Sequence, residues 1–406
     1  MTLSRRQFAA ALALSAPTLA IAQSESFDWP QWRGPRRNGI SAEKDYIAQW
    51  PKEGPRRLWA TKVGVGYSSV SVAGGKLYTM GNLSDVDHVQ CLDTANGKLV
   101  WDYKYPCNAA DPNGYPGPRC TPTVDGNLVF TVSRNGHLLC LSAANGALVW
   151  TKNLVTDFGG YIPQWGYSGS PLVEGELLIL ETGSSGRSVA ALEKKTGRVV
   201  WANGNAAAGY ASPMAFDVAR ERAVAVFSAA GLTGRALSNG RVLWHYNWRT
   251  SYDVNAATPI IFDDKIFISS GYGTGCALLQ ISATAAKLVW QNKGMRNHMN
   301  SCVLWQGHLY GFDEAQLRCL DVITGVVKWS TPAYGKGSLM LADSRLILYG
   351  ERGRLGLAEA SPAGFRELAA AQVLGGSSTW APPVLSNGRI YCRSSTDLVC
   401  LDVSGK

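Results

Sequence analysis

A Gly-Tyr pair followed closely by serine recurs at Tyr67, Tyr167 and Tyr210, so three phenols could stand at equivalent points around one opening. The same residues could instead be structural, packing on a neighbour while the hydroxyl closes a loop. Trp165 and Trp380 are large aromatics in loops of the same kind, able to stack on a planar ligand or to anchor a partner peptide. Asp253, Asn255, His298 and Asn300 are residue types that abstract a proton or hold a cation when they converge. Arg119, next to Cys120, is suited to an anionic ligand. The 5 histidines and 9 cysteines show no metal-ligand spacing, no Cys-x-x-Cys-His haem attachment occurs, and no acid–base pair stands out as catalytic.

A repeat must position these residues. An apolar strand, a turn centred on glycine and a second strand ending in tryptophan recur at residues 92–101 (Gly97, Trp101), 141–150 (Gly146, Trp150), 192–201 (Gly197, Trp201) and 320–329 (Gly325, Trp329). Residues 235–244, with Gly240 and Trp244, and 281–290, where Ala286 replaces the glycine, are degenerate copies; residues 357–368, with Gly364 and Leu368, are weaker still. The eighth copy is split between the ends: residues 400–406 carry its first half, and residues 56–63, with Trp59, its second.

Successive tryptophans lie roughly 40 to 50 residues apart, the interval of a four-stranded propeller blade. The expected fold is all-β, an eight-bladed β-propeller of four-stranded blades over residues 56–406, akin in architecture to WD40 rings. It closes by pairing an N-terminal strand with the C-terminal blade, which removes exposed sheet edges. Seven blades are the alternative if residues 357–368 form a loop. The Asn-Gly pairs ending at Gly97, Gly146 and Gly240 predict two-residue hairpin turns, and each tryptophan is expected between adjacent blades. In such a ring, function belongs to the loops around the channel on one face.

Residues 1–22 read as an export signal. Ser-Arg-Arg-Gln-Phe at residues 4–8 has the twin-arginine pattern, followed by an Ala-rich apolar stretch and Ala-Ile-Ala at residues 20–22. Residues 23–55 are a lead-in. Cleavage leaves no cysteine at the new terminus, so a periplasmic, unlipidated protein is expected. The net charge of +9 falls to +7 without Arg5 and Arg6, and the basic residues are scattered; with no nucleic-acid motif, nucleic-acid binding is not expected. Cys91, Cys140, Cys319 and Cys400 recur just before the repeat's strand-borne Leu and read as small buried hydrophobes. Cys107 and Cys120 bracket a Pro/Gly-rich loop and form the expected disulfide of an oxidising compartment.

The Leu-Asp-x-x-x-Gly-x-x-x-Trp unit resembles the repeat of the pyrroloquinoline-quinone (PQQ) propeller superfamily over residues 50–406. Residues 28–35, Asp-Trp-Pro-Gln-Trp-Arg-Gly-Pro, and 38–41, Asn-Gly-Ile-Ser, are similar to the lead-in of exported bacterial PQQ-like propellers. That superfamily contains PQQ- and calcium-dependent quinoprotein dehydrogenases and non-enzymatic relatives such as the assembly lipoprotein of the Bam complex. The chain departs from the dehydrogenases: it has no adjacent Cys-Cys pair, its blade spacing is nearly minimal, and no Glu, Asn and Asp set aligns for calcium. With these departures the resemblance implies a non-catalytic periplasmic interaction or scaffold protein, acting as a monomer with a protein partner in cell-envelope assembly. A PQQ- and calcium-dependent oxidoreductase of an alcohol or sugar, and a small-molecule or glycan-binding propeller, are the alternatives.

Overall fold

The computed structural model describes residues 26–376 and 379–405; the export signal expected at residues 1–22 lies outside them. The chain forms eight sheets around an axis, each with four antiparallel strands, an eight-bladed propeller. Blade 1 shows the plan: Ser71–Ala73 is innermost, Lys76–Leu83 and Val86–Asp93 are central, and Leu99–Pro106 is outermost. Blade 7 is complete, with strands Gly337–Ala342, Arg345–Gly350, Arg354–Glu359 and Glu367–Gln372, so the seven-bladed alternative falls. Arg56–Lys62 pairs antiparallel with Asp397–Asp402, from Arg56 opposite Asp402 to Lys62 opposite Asp397, and completes blade 8 across the chain ends. Among the described residues no helix is long and apolar enough to cross a membrane.

The repeat glycine and tryptophan are two halves of one contact. Gly97, Gly146, Gly197, Gly240 and Gly325 each stand over the indole of the preceding blade, where a Cβ would come within 2.9 Å of the ring, with φ between +70° and +74°. Only glycine meets both demands at once. The indole N–H then donates to a carbonyl of the following blade, as from Trp101 to Ala143 at 3.0 Å and from Trp150 to Lys194 at 2.9 Å. Where Ala286 replaces the glycine, the preceding Trp244 is buried with its indole N–H unpartnered.

The hairpins differ from the expected two-residue turns. Gly97 N–H donates to Asp93 O, Asp93 N–H donates to Lys98 O, and the Asp93 carboxylate accepts from Ala95 and Asn96. Only the glycine takes a positive φ, and the aspartate pins the wider loop.

The lead-in fills the channel. It arrives and leaves at one turn of blade 8, where Asn387 donates to Asp28 and the Gly388 N–H donates to Glu43. Between these points Trp29 bridges Val72 of blade 1, Pro30 O accepts from Val124 of blade 2, and Ile40–Ser41 adds a parallel strand to the inner edge of blade 7. Arg33 and Arg37, both buried, reach across the channel. Arg33 donates to Cys302 O of the loop entering blade 6 at 2.6 Å, and Arg37 to Ser170 O and Pro171 O of the loop entering blade 3 at 2.9 and 3.0 Å.

All nine cysteines are buried free thiols, which corrects the expected Cys107–Cys120 disulfide. Cys107 Sγ accepts from Asn135 Nδ2 at 3.4 Å while Cys120 Sγ donates to Thr121 O at 3.3 Å. The loop they bracket is held instead by Asp111, whose buried carboxylate pairs with Arg119 at 2.9 Å and Arg134 at 3.2 Å. Burial pushes the Cys107 thiol up to about 12 and Cys120 up to about 11, so neither forms thiolate at neutral pH. Native protein should therefore resist iodoacetamide at pH 8. Denatured without reductant, it should gain nine carbamidomethyl groups by mass spectrometry, one per cysteine; a shortfall of two would restore the bridge.

Candidate functional site

One register organises the channel mouth. A hydroxyl or equivalent residue stands where each blade's inner strand begins, and neighbouring blades are tied through these side chains. Ser69 N–H donates to Thr121 Oγ1 at 3.2 Å, Thr121 N–H to Ser170 Oγ at 3.0 Å, Ser170 N–H to Ser212 Oγ at 2.9 Å, and Thr258 N–H to Ser301 Oγ at 2.8 Å. Two residues earlier, an extended chain turns its side chain to the same side. Those positions are Tyr67, Arg119, Ser168, Tyr210, Ala256, Met299, Lys336 (before Ser338) and Trp380, one per blade, and all eight line one cavity.

The cavity offers about 200 Å³ of open space. Trp32 of the lead-in lines it from below, its indole N–H donating to Thr258 Oγ1 at 2.9 Å. The walls are aromatic on opposite sides. On one, Trp380 stacks on Tyr67 at 5.1 Å and 23° and meets Tyr115 at 5.0 Å, with Arg119 5.8 Å over the Tyr67 ring. On the other, Trp165 touches Tyr210 at 6.0 Å, Tyr252 at 6.0 Å and Tyr272 at 6.5 Å, and Tyr272 meets His298 edge-on at 4.6 Å.

The polar groups complete the lining. Lys336 Nζ lies 2.9 Å from His298 Nδ1 and 3.5 Å from Glu314. Burial first, and then the Lys336 charge, lower the His298 pKa. The imidazole is therefore neutral, accepts at Nδ1 and keeps an Nε2–H donor. Asn300 Nδ2 donates to Gly337 O at 2.8 Å. Burial raises the pKa of Tyr67 and takes Tyr210 up to about 12, so neither phenol is a base at neutral pH.

Of the residues picked out by type, Tyr67, Arg119, Trp165, Tyr210, His298, Asn300 and Trp380 converge on this cavity. Three do not. Tyr167 is buried between blades 2 and 3 and donates to Thr182 O at 2.7 Å. Asn255 is fully buried: its amide donates to Ser228 O at 2.8 Å and to Trp248 O at 3.3 Å, and accepts from Ser270 Oγ at 2.8 Å. Its own carbonyl accepts from the Tyr210 and Ala211 N–H groups at 3.0 Å, so it positions the Tyr210 loop. Asp253 is exposed on the rim, in a turn where it and Tyr252 both take positive φ.

Trp32, Tyr115, Tyr272, Met299 and Lys336 were missed. Counting back two residues from the recurring Thr121-Pro122, Ser170-Pro171, Ser212-Pro213 and Thr258-Pro259 pairs reaches Arg119, Ser168, Tyr210 and Ala256, but Ser301-Cys302 and Ser338-Leu339 lack the proline, so that signal does not mark Met299 or Lys336. No periodic signal marks Trp32.

Calcium-bound PQQ does not fit these donors. A calcium ion needs six to eight oxygens, chiefly carboxylate and carbonyl, and no Asp or Glu is among the lining residues. Of the acids beside it, Asp111 is engaged by two arginines and Glu314 by Lys336 and the Tyr272 N–H, while Asp253 stands exposed on the rim. Among the described residues no group of three or more His, Cys, Asp or Glu could hold a metal ion.

Residues 87–331 match the family described as outer membrane protein assembly factor BamB. No curated protein matches the sequence. Among solved structures the fold is similar to BamB from Moraxella catarrhalis, with TM-score 0.61 at 15% identity over 86% of this chain and 97% of that one. It is also similar to a europium-containing methanol dehydrogenase (TM-score 0.66, 12% identity, 90% and 88% covered). A quinohemoprotein alcohol dehydrogenase from Pseudomonas putida HK5 matches with TM-score 0.65 at 13% identity, covering 94% and 81%. Scaffold and enzyme thus share the ring, and similarity at this level speaks for the fold alone.

Proposed function

The chain belongs to the family described as outer membrane protein assembly factor BamB, and from that premise we propose that it is a non-catalytic recognition protein of the cell envelope. It is exported by the twin-arginine signal read in residues 1–22 and captures a partner polypeptide at the aromatic mouth of its channel. The observation that carries this reading is the cavity lining: opposed aromatic walls on a rigid ring, without a carboxylate among the lining residues. Aromatic side chains contribute large contact area at small entropic cost, which suits them to anchor a partner. A base able to abstract a proton from an alcohol is not supplied, since His298 is committed to Lys336 and the phenols stay protonated.

The test is site-specific photocrosslinking in the periplasm, with a benzophenone side chain at Trp165 and, as a control, at Lys98 on the outer blade turn. Discrete polypeptide adducts are expected from position 165 and not from position 98. Equal labelling from both positions, or calcium-dependent turnover of an alcohol by the purified protein with PQQ and an artificial acceptor, would overturn the proposal.

A further inference from the structure

The mouth cavity is blind. Trp32 closes it from below and the rest of the lead-in occupies the channel, so a ligand can insert an end or a single side chain but cannot thread through. The cavity is also one-signed. Arg119 and Lys336 are the charged groups among its lining residues, and the neutral His298 adds a donor. Arg119 shares one carboxylate, Asp111, with Arg134, which leaves that trio with excess positive charge.

Below the floor lie Arg33 and Arg37, both buried and bonded only to backbone carbonyls and the Gln31 amide oxygen. Arg37 grips the carbonyl of Ser170, a residue that itself lines the cavity, and its Nε has no partner at all. Around the cavity, therefore, five cationic side chains (Arg33, Arg37, Arg119, Arg134 and Lys336) face two inner carboxylates, Asp111 and Glu314, with Asp253 exposed on the rim. In the low dielectric of a protein interior such an excess is felt over many ångströms, and a cleft focuses it.

We infer that the cavity is a receptor for an organic carboxylate carried on a flat or apolar body, which enters end-on. This rests on the recognition reading above and deepens it by naming what the partner presents. The aromatic walls cover the body. The Lys336 ammonium and the His298 Nε2–H, oriented by the Lys336–His298 contact, are the donors for the carboxylate. Two sources share this chemistry: the terminal residue of a polypeptide and a free aryl carboxylate. A volume of about 200 Å³ accommodates one aromatic residue with its terminal carboxylate.

The test is calorimetric titration of the full mature protein with 3-phenylpropionate and with acetyl-Gly-Gly-Phe, each against its neutral amide, and with phenyl phosphate. Both acids are expected to bind at one site and the amides at least about tenfold more weakly. The tighter of the two acids identifies the source. Lys336→Met should weaken the acids by about tenfold and leave the amides unchanged, and Lys336→Arg should restore binding. Equal affinity for acids and amides, preference for phenyl phosphate, or no binding at about 10 mM ligand would overturn the inference. Crosslinking from position 165 would then still stand, so the two failures are distinguishable.

Discussion

Replacing Arg393 with methionine is expected to destabilise the protein by about 3–5 kcal/mol, because it removes the shared donor of four buried neutral acceptors, each costing about 1–3 kcal/mol when left without one. Arg393 lies in blade 8 and is among the largest fully buried side chains. Its guanidinium crosses the closing seam and donates to Ser68 O at 2.8 Å, Thr79 Oγ1 at 2.7 Å, Met80 O at 2.6 Å and Gly64 O at 3.2 Å. These acceptors belong to blade 1 and the chain leading into it. Burial opposes the charge and lowers the arginine pKa to about 9, so methionine gains by removing a desolvated cation. Against that, it orphans the four acceptors, each buried and each costing about 1–3 kcal/mol without a donor. The orphaned acceptors outweigh the relief.

Because the seam joins the chain ends without a covalent link, the loss should appear as faster unfolding. Urea unfolding followed by tryptophan fluorescence would show a lower midpoint at an unchanged slope. A change of less than about 1 kcal/mol would mean that water replaces the lost donors.

The ring was legible in the sequence because its defining contact joins two distinctive residue types and is kept at five of the blade boundaries. A glycine at positive φ over an indole leaves the same trace at Gly97, Gly146, Gly197, Gly240 and Gly325. The trace fades in the next-to-last blade, where Leu368 replaces tryptophan but the strands persist, since backbone pairing does not depend on the indole. The mouth was only partly legible. Tyr67 and Tyr210 precede the inter-blade serines Ser69 and Ser212 by two residues, whereas Tyr167 precedes Ser170 by three because Gly169 intervenes. That odd offset sends its side chain to the other side, into the core, as a one-residue slip does in a strand. The lead-in had no periodicity to betray it. Its placement depends on single long-range contacts, such as Trp32 to Thr258 and Arg37 to Ser170, which leave no pattern in one sequence.

Glu181 should make the mature protein less stable as pH rises through the neutral range, and Glu181→Gln should abolish the effect. The residue ends the strand Leu177–Glu181 and lines a cavity of about 20 Å³ enclosed by blades 2 and 3 and the loop entering blade 4, among Val132, Leu154, Leu180 and Ala208. Burial pushes its pKa from 4.5 up to about 8, against the opposing pull of the Gly209 N–H and of the Arg235 charge. A carboxyl raised in this way holds its proton in the folded state where the unfolded chain has already released it. Its stability is fully present below about 4.5 and is lost as pH climbs through about 8.

Part of the residue's surface is open to the cavity, so the difference between pH 5 and pH 9 should be about 2–4 kcal/mol, below what the full shift would give. Glutamine keeps an oxygen for the Gly209 N–H, now accepted by Glu181 at 3.2 Å, and cannot ionise. The variant should therefore match the parent at pH 5 and exceed it at pH 9, read as urea midpoints at both values. Identical pH dependence in parent and variant would place the carboxylate in contact with water. Gly209 immediately precedes Tyr210, whose ring forms part of the mouth. Ionisation of Glu181 should therefore loosen that wall before the ring unfolds, and hydrogen exchange should rise first at Gly209–Tyr210 at pH 9 in the parent and not in the variant.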